Sequence, residues 1–310
     1  MLSRCFWAGA FEIGLSQGPQ METPVKLQLE DPGAPDYAGE VIDILNPAIA
    51  SSNPSSRKEA ALAIDALCKR ECTAAGSAGG FLWWFWDLVH DLSRQLPYDS
   101  EEQDRLAAVI RSLTDLPPRK VSLGEEWGGG DASTVELWTN LPMFGNTFRE
   151  KLDDDDSAAS SEDLKKSRRV NLDAYAARVA GLCQLPFEVY AIWALVGALE
   201  DTTADNTGPA LQNQREMKAI AHNLMSAAVW IIHAGHLLYG RDEQISGATA
   251  GPLWRQGHKL KGTDGLNPER WQLWKETFAV FRDADGLDTE SRRVAGEAYA
   301  MMEKLENESP

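Results

Sequence analysis

Apolar positions recur along this chain every three to four residues, and no stretch shows sustained alternation of apolar with polar residues. Leu172, Tyr175, Val179 and Leu182 fall on one helical stripe. Tyr190, Ala191, Ala194, Leu195 and Ala198 fall on a second, and Trp271, Trp274, Phe278 and Phe281 step by three, four and three residues along a third. A last helix is predicted from about Thr289 to Leu305, with Val294, Ala298, Met302 and Leu305 inward. Helix starts are written into the sequence as well. Ser56 with Glu59 and Ser100 with Gln103 read as capping boxes, Pro186 and Pro209 as openings, and Asn267 with Pro268 as an N-cap followed by a first-turn proline. The pattern predicts an all-α fold, a single large multi-helix orthogonal bundle over residues 37–306.

The interruptions mark the remainder. Pro19, Pro24, Pro32, Pro35 and Gly33 keep the backbone out of a helix before about Tyr37, so residues 1–36 are expected to form an extended or disordered tail. The segment from Phe81 to Leu96 places Phe81, Phe85, Leu88 and Leu92 on one stripe, with Trp83, Trp84 and Trp86 covering the other side, which predicts a helix buried nearly all round. Gly124 and the triplet Gly128 to Gly130 predict a loop over 119–133, followed by short helices at Thr134–Asn140 and Pro142–Lys151. Asp153 to Asp156 and the Ser/Ala/Glu stretch after them predict a mobile surface loop over 153–166. Further breaks fall at Asp201 to Gly208 and at Gly251-Pro252-Leu253-Trp254.

Charge narrows the range of partners. Forty-seven acidic against thirty basic residues give a formal charge of −17, which repels phosphate backbones and anionic membrane surfaces. No nucleic acid and no membrane are therefore expected as partners, and the aromatic run from Phe81 to Trp86 is far short of the ~20 apolar residues of a span. The eleven tryptophans read as core anchors. Cys5, Cys68, Cys72 and Cys183 are too sparse for a disulfide scaffold, which predicts reduced thiols and a cytoplasmic protein. Lys165-Lys166-Ser167-Arg168-Arg169 leaves a nuclear location open, although a solvated helix start that offsets Asp153 to Asp156 is the preferred reading. The first twenty residues carry a short apolar stretch interrupted by Glu12, a poor secretory signal, and Met21 is an alternative start.

Candidate chemistry concentrates between Glu216 and Tyr239. At about 100° per residue, Met217, Ile220, Leu224, Ala228, Ile231, Leu238 and Tyr239 share one helical face. His222, Ser226, Trp230 and His233 lie away from it, and on this second face a functional site is expected. His233 and His236, one turn apart, could share a metal only with a third ligand such as Glu200, Asp201 or His258, so neither a metal nor a cofactor is expected. The plainer reading leaves these histidines bonded to neighbouring carbonyls or carboxylates, or solvated. The catalytic alternative makes His233 an acid/base with Glu200 or His236 as its orienting partner. Trp230, Trp193 and His222 are the candidate ligand-binding residues, set against simple burial of the tryptophans. Cys68 and Cys72 are one turn apart on an Ala-rich helix. They read as small core cysteines in preference to a redox pair or a pair of thiolate ligands. Asp283-Ala284-Asp285-Gly286 lacks calcium-loop spacing and reads as a turn, and Gly128 to Gly130 lacks the Lys-Ser/Thr of a phosphate loop.

Five segments in order resemble a family of ascomycete fungal proteins that carries only a domain-of-unknown-function name. They are Tyr175-Ala-Ala-Arg178, Ala191-Ile-Trp-Ala-Leu195 with Ala198-Leu-Glu200, Val229-Trp-Ile-Ile-His-Ala-Gly235 with Leu238-Tyr239, Gly251-Pro-Leu-Trp254, and Glu269-Arg-Trp-Gln-Leu-Trp-Lys275. The resemblance implies fungal origin and a helical fold, with no catalytic residues to carry over. Two functions stay open: a binding or interaction protein for a small apolar or aromatic ligand or a protein partner, and a cofactor-independent lyase, isomerase or cyclase of secondary metabolism.

Overall fold

Capping side chains set the helix boundaries. In the computed structural model, Ser100 Oγ accepts from the Gln103 N–H at 3.3 Å, Asn267 Oδ1 from the Arg270 N–H at 2.8 Å and Ser161 Oγ from the Leu164 N–H at 3.2 Å. The structure describes residues 25–127, 134–200, 214–249 and 265–308, without the side chains of 214–219. Cys5, Met21, the Gly128–Gly130 triplet, the break at Asp201–Gly208 with Pro209, the Gly251–Trp254 motif and His258 lie outside the described residues.

In chain order the elements are α1 (Ala38–Ala50), α2 (Pro54–Ala75), α3 (Gly79–Arg94), α4 (Glu101–Thr114), β1 (Arg119–Ser122), β2 (Thr134–Leu137), α5 (Phe144–Asp153), α6 (Glu162–Cys183) and α7 (Glu188–Leu195). A π-helical turn (Val196–Glu200), α8 (Gln214–Ala234), β3 (Glu243–Gln244), β4 (Gly265–Leu266), α9 (Pro268–Arg282) and α10 (Thr289–Glu308) follow. Among the described residues the fold is all-α apart from two short antiparallel ribbons, β1 with β2 and β3 with β4. One contiguous apolar cluster runs from Leu27 to Met302. It includes Leu27 from the segment ahead of α1, which is seated by hydrogen bonds of its backbone N–H and carbonyl to the Asn46 amide.

Several expectations are corrected. Thr134 to Leu137 is a strand, not a helix, because Val135 and Leu137 turn inward while Thr134 and Glu136 stay out, an alternation too short to read unaided. The turn after it passes Trp138, Leu141 and Met143 through positive φ. Two indoles hold it, Trp138 Nε1 donating to Asp65 at 2.8 Å and Trp86 Nε1 to the Pro142 carbonyl at 2.9 Å. α2 starts ahead of the Ser56–Glu59 box, since Asn53 caps it and Pro54 takes the first turn. α3 is not buried all round, because Trp84 is 46% exposed, and in α6 Leu182 is exposed rather than inward. Within the acidic stretch at 153–166, Asp156 is buried against Arg168 at 2.7 Å and Asp154 meets Arg94 at 3.0 Å, so basic side chains from α3 and α6 draw part of the run inward. The rod expected from Glu216 to Tyr239 stops as an α-helix at Ala234 and closes as a 3₁₀ turn at Gly235–Leu237. The α9 seam is as expected, with Trp271, Trp274, Phe278 and Phe281 all buried.

α6 and α8 form the most extensive helix pair. Their backbones approach closely because position 181 has no side chain: a Cβ on Gly181 would overlap the carbonyl oxygen of His233. Alanine normally gains ~1 kcal/mol over glycine inside a helix, but here it drives two backbones apart. Gly181→Ala is therefore expected to destabilise the protein by about 1–3 kcal/mol, read as a lower urea midpoint. A midpoint that rises, as propensity alone dictates, would mean that the helices do not meet at this residue.

Candidate functional site

Asp173 is a carboxylate set among the buried α6 residues Leu172, Ala174 and Tyr175, and it is itself only 3% exposed. A buried carboxylate is costly unless hydrogen bonded, and this one has two partners. Arg169 Nε, one turn earlier, donates at 3.1 Å, and the indole N–H of fully buried Trp230 on α8 lies 3.4 Å from the other oxygen. Asp173 of this clasp forms the floor of a cleft of about 250 Å³ between α6, α8 and the α7–π segment. Its walls include Arg169, Tyr190, Trp193, Asn223 and Ser226.

The aromatic wall is held in position. Tyr190 meets Trp193 edge-on, with ring centroids 5.5 Å apart and planes at 87°, and its hydroxyl donates to the Gly145 carbonyl at 3.0 Å. Trp193 Nε1 donates to the Gly247 carbonyl at 3.0 Å, and the Arg149 guanidinium lies 5.2 Å from the ring centroid. The indole face and the Asp173–Ser226 side together offer flat apolar surface and hydrogen-bonding groups in one recess.

The sequence candidates separate around this geometry. Trp193 lines the cleft, Trp230 stands behind it through Asp173, and half-buried His222 lies one residue before Asn223, outside the lining. His233 is half-buried beside the Arg178–Asp104 ion pair, where loss of water and then the Arg178 charge push its pKa down to about 3. His236 is exposed, with its Nε2 3.1 Å from the Gln184 amide nitrogen at the end of α6. Glu200 ends the π-helical turn. Arg270 Nε and Nη2 donate to its two oxygens at 2.7 and 3.2 Å, and Trp274 Nε1 donates at 2.9 Å. Arg270 also donates to the carbonyls of Gly265 and Thr249, so Glu200 belongs to a buried clamp that ties α9 to the π-helical turn and the β3–β4 region. Among the described residues, no group of three or more His, Cys, Asp or Glu side chains is arranged to hold a metal ion.

Sequence reasoning missed Asp173 and Arg169 as site residues and treated Tyr190 as part of an apolar stripe. The available signal was an acidic residue embedded in an otherwise apolar turn of α6, which only a partner on another helix makes affordable. His90 was missed too: it is fully buried, its Nε2 3.1 Å from Thr147 Oγ1, and burial pushes its pKa down to about 3.

Two measurements follow. Arg270→Met removes the guanidinium from buried Glu200 and is expected to cost about 3–5 kcal/mol in urea unfolding, with Glu200→Met/Arg270→Met recovering most of it. His90 and His233 stay neutral when folded but protonate near pH 6.5 when unfolded. Their contribution to stability is therefore full above pH 6.5 and is lost as pH falls toward 3. Two-dimensional NMR of the imidazole nitrogens should show both rings neutral at pH 5, and a His233 midpoint near 6.5 would refute its half-buried placement beside Arg178.

Among the described residues no helix is long and apolar enough to cross a membrane. No curated protein and no solved structure matches the chain. A family model described as "Protein of unknown function (DUF3632)" matches residues 86–278, from the buried Trp86 of α3 to Phe278 of α9, a span that contains the cleft and both partners of the Glu200–Arg270 clamp. This chain belongs to the DUF3632 family.

Proposed function

We propose that this protein is a binding module for a small planar ligand, an aromatic ring carrying a hydroxyl or amide group, held in the cleft between α6, α7 and α8. The observation that carries the reading is the juxtaposition of the Trp193 and Tyr190 rings with the buried Asp173 and Ser226 in one recess. The rings give a flat ligand apolar contact, and the polar floor orients its substituent. At about 250 Å³ the cleft suits a fragment-sized molecule rather than a drug-sized one. The likeness of its motifs to ascomycete proteins leads us to place the ligand among intracellular fungal metabolites.

Acid/base catalysis at His233 is less well supported. A general base works best with a pKa near the operating pH, and His233 is pushed down to about 3. The carboxylate proposed to orient it, Glu200, is engaged by Arg270 and Trp274.

Saturation-transfer NMR with indole and phenol as probes tests the binding reading. Both are expected to bind with dissociation constants of about 0.1–1 mM. Trp193→Leu is expected to weaken them at least tenfold, while Trp84→Leu on the exposed side of α3 leaves them unchanged. Binding that is absent, or equally sensitive to Trp84, would remove the cleft from consideration.

A further inference from the structure

Cys68 and Cys72 lie one turn apart on α2 with their sulfurs 3.6 Å apart. Cys68 is buried, whereas Cys72 is half-exposed and stands in the last turn of the helix, ahead of the C-terminal Gly76. Both line a surface cavity of about 240 Å³ together with Lys69, Ser77, Arg119 and Ser122. Of the cations next to these cysteines in sequence, Arg70 is turned to Glu40 and Glu71 and Lys69 stands at the cavity wall, and the fold adds Arg119 from β1. There its guanidinium is oriented by Asp65 at 2.8 and 3.3 Å, and Asp65 is fixed in turn by the Trp138 indole. The cavity gives a small oxidant access to the outer sulfur, and the inner sulfur lies directly behind it.

We propose that Cys72 and Cys68 form a peroxide-reactive dithiol, Cys72 as the attacking thiolate and Cys68 as the resolving thiol. The contact between the two sulfurs, aided by Arg119, lowers the Cys72 pKa, while the same contact and burial raise that of Cys68. The Cys72 thiolate attacks one oxygen of a hydroperoxide, so that an S–O bond forms and the O–O bond breaks. The departing oxygen takes a proton from solvent and leaves as water or an alcohol, and sulfur has lost two electrons to the peroxide. The Cys68 sulfur then attacks the Cys72 sulfenic sulfur. A disulfide forms, the S–O bond breaks, and the hydroxyl leaves as water with the Cys68 proton. On a regular helix the β-carbons of residues four apart are ~5–6 Å apart, against the ~3.5–4.5 Å of a disulfide. Closure therefore unwinds the last turn of α2, the part of a helix that frays most readily.

The test treats the reduced full chain with hydrogen peroxide and maps modification by peptide mass spectrometry. In Cys68→Ser, dimedone is expected to trap a sulfenic acid on Cys72, and in the native chain a Cys68–Cys72 disulfide is expected instead. Cys183, whose thiol burial pushes up to about 11, serves as the internal control and should react at least tenfold more slowly. Arg119→Gln should slow Cys72 roughly tenfold, with Arg119→Lys restoring most of the rate and showing that charge rather than folding is responsible. Dimedone labelling of Cys72 no faster than Cys183, a rate indifferent to Arg119, or a native chain that yields no Cys68–Cys72 disulfide would each overturn the proposal.

Discussion

The structure depends on the close crossing of α6 and α8. Glycine at position 181 admits the His233 carbonyl to the surface of α6, and eight residues earlier, ~12 Å along the helix, Asp173 receives the Trp230 indole. The first contact sets how near the helices come, and the second sets their register. Apolar burial alone would supply attraction without specificity, because Leu172, Tyr175, Val179, Leu224, Ala228 and Ile231 are interchangeable in chemistry if not in shape. A buried carboxylate that must meet one indole and one guanidinium admits few alternatives. The cleft is a consequence: the polar residues that fix the crossing also surface beside Trp193.

The Glu200–Arg270 clamp plays the same part between the π-helical turn and α9. Both side chains are fully buried, and a pair of this kind adds little net stability over well-fitted apolar residues, because desolvation offsets attraction. Its use is positional. The π-helical turn presents Glu200 toward α9, where Arg270 collects it together with two backbone carbonyls from the β3–β4 region. The turn therefore serves both sites, carrying Gly197 in the wall of the cleft and Glu200 in the clamp.

Legibility in the sequence followed the range of the interactions. Helices were readable because their signals are local: Ser100, Asn267 and Pro268 announce starts, and Trp271 to Phe281 declare a buried face within eleven residues. The β1–β2 ribbon was not, since four-residue strands offer too little alternation and their partners lie 12 to 18 residues apart. The second face of α8 was legible as polar, and Ser226 and Trp230 do face the cleft region. Which residues meet it was not legible, because Asp173 and Arg169 come from a helix more than fifty residues away. Arg119 beside the cysteines is the same case, for it reaches them from a strand on the far side of α3 and α4 in the chain. Glu200 shows the converse, a residue whose type suggested chemistry and whose surroundings tie it into the core.

Hydrogen exchange of the Trp230 indole N–H tests the α6–α8 clasp most directly. Bound to Asp173 and buried, that proton should exchange orders of magnitude more slowly than the indole proton of exposed Trp84, and Asp173→Ala should abolish most of the difference. If the two indole protons exchange at similar rates in the native chain, Trp230 is not held by Asp173, and the crossing that shapes the cleft is wrong.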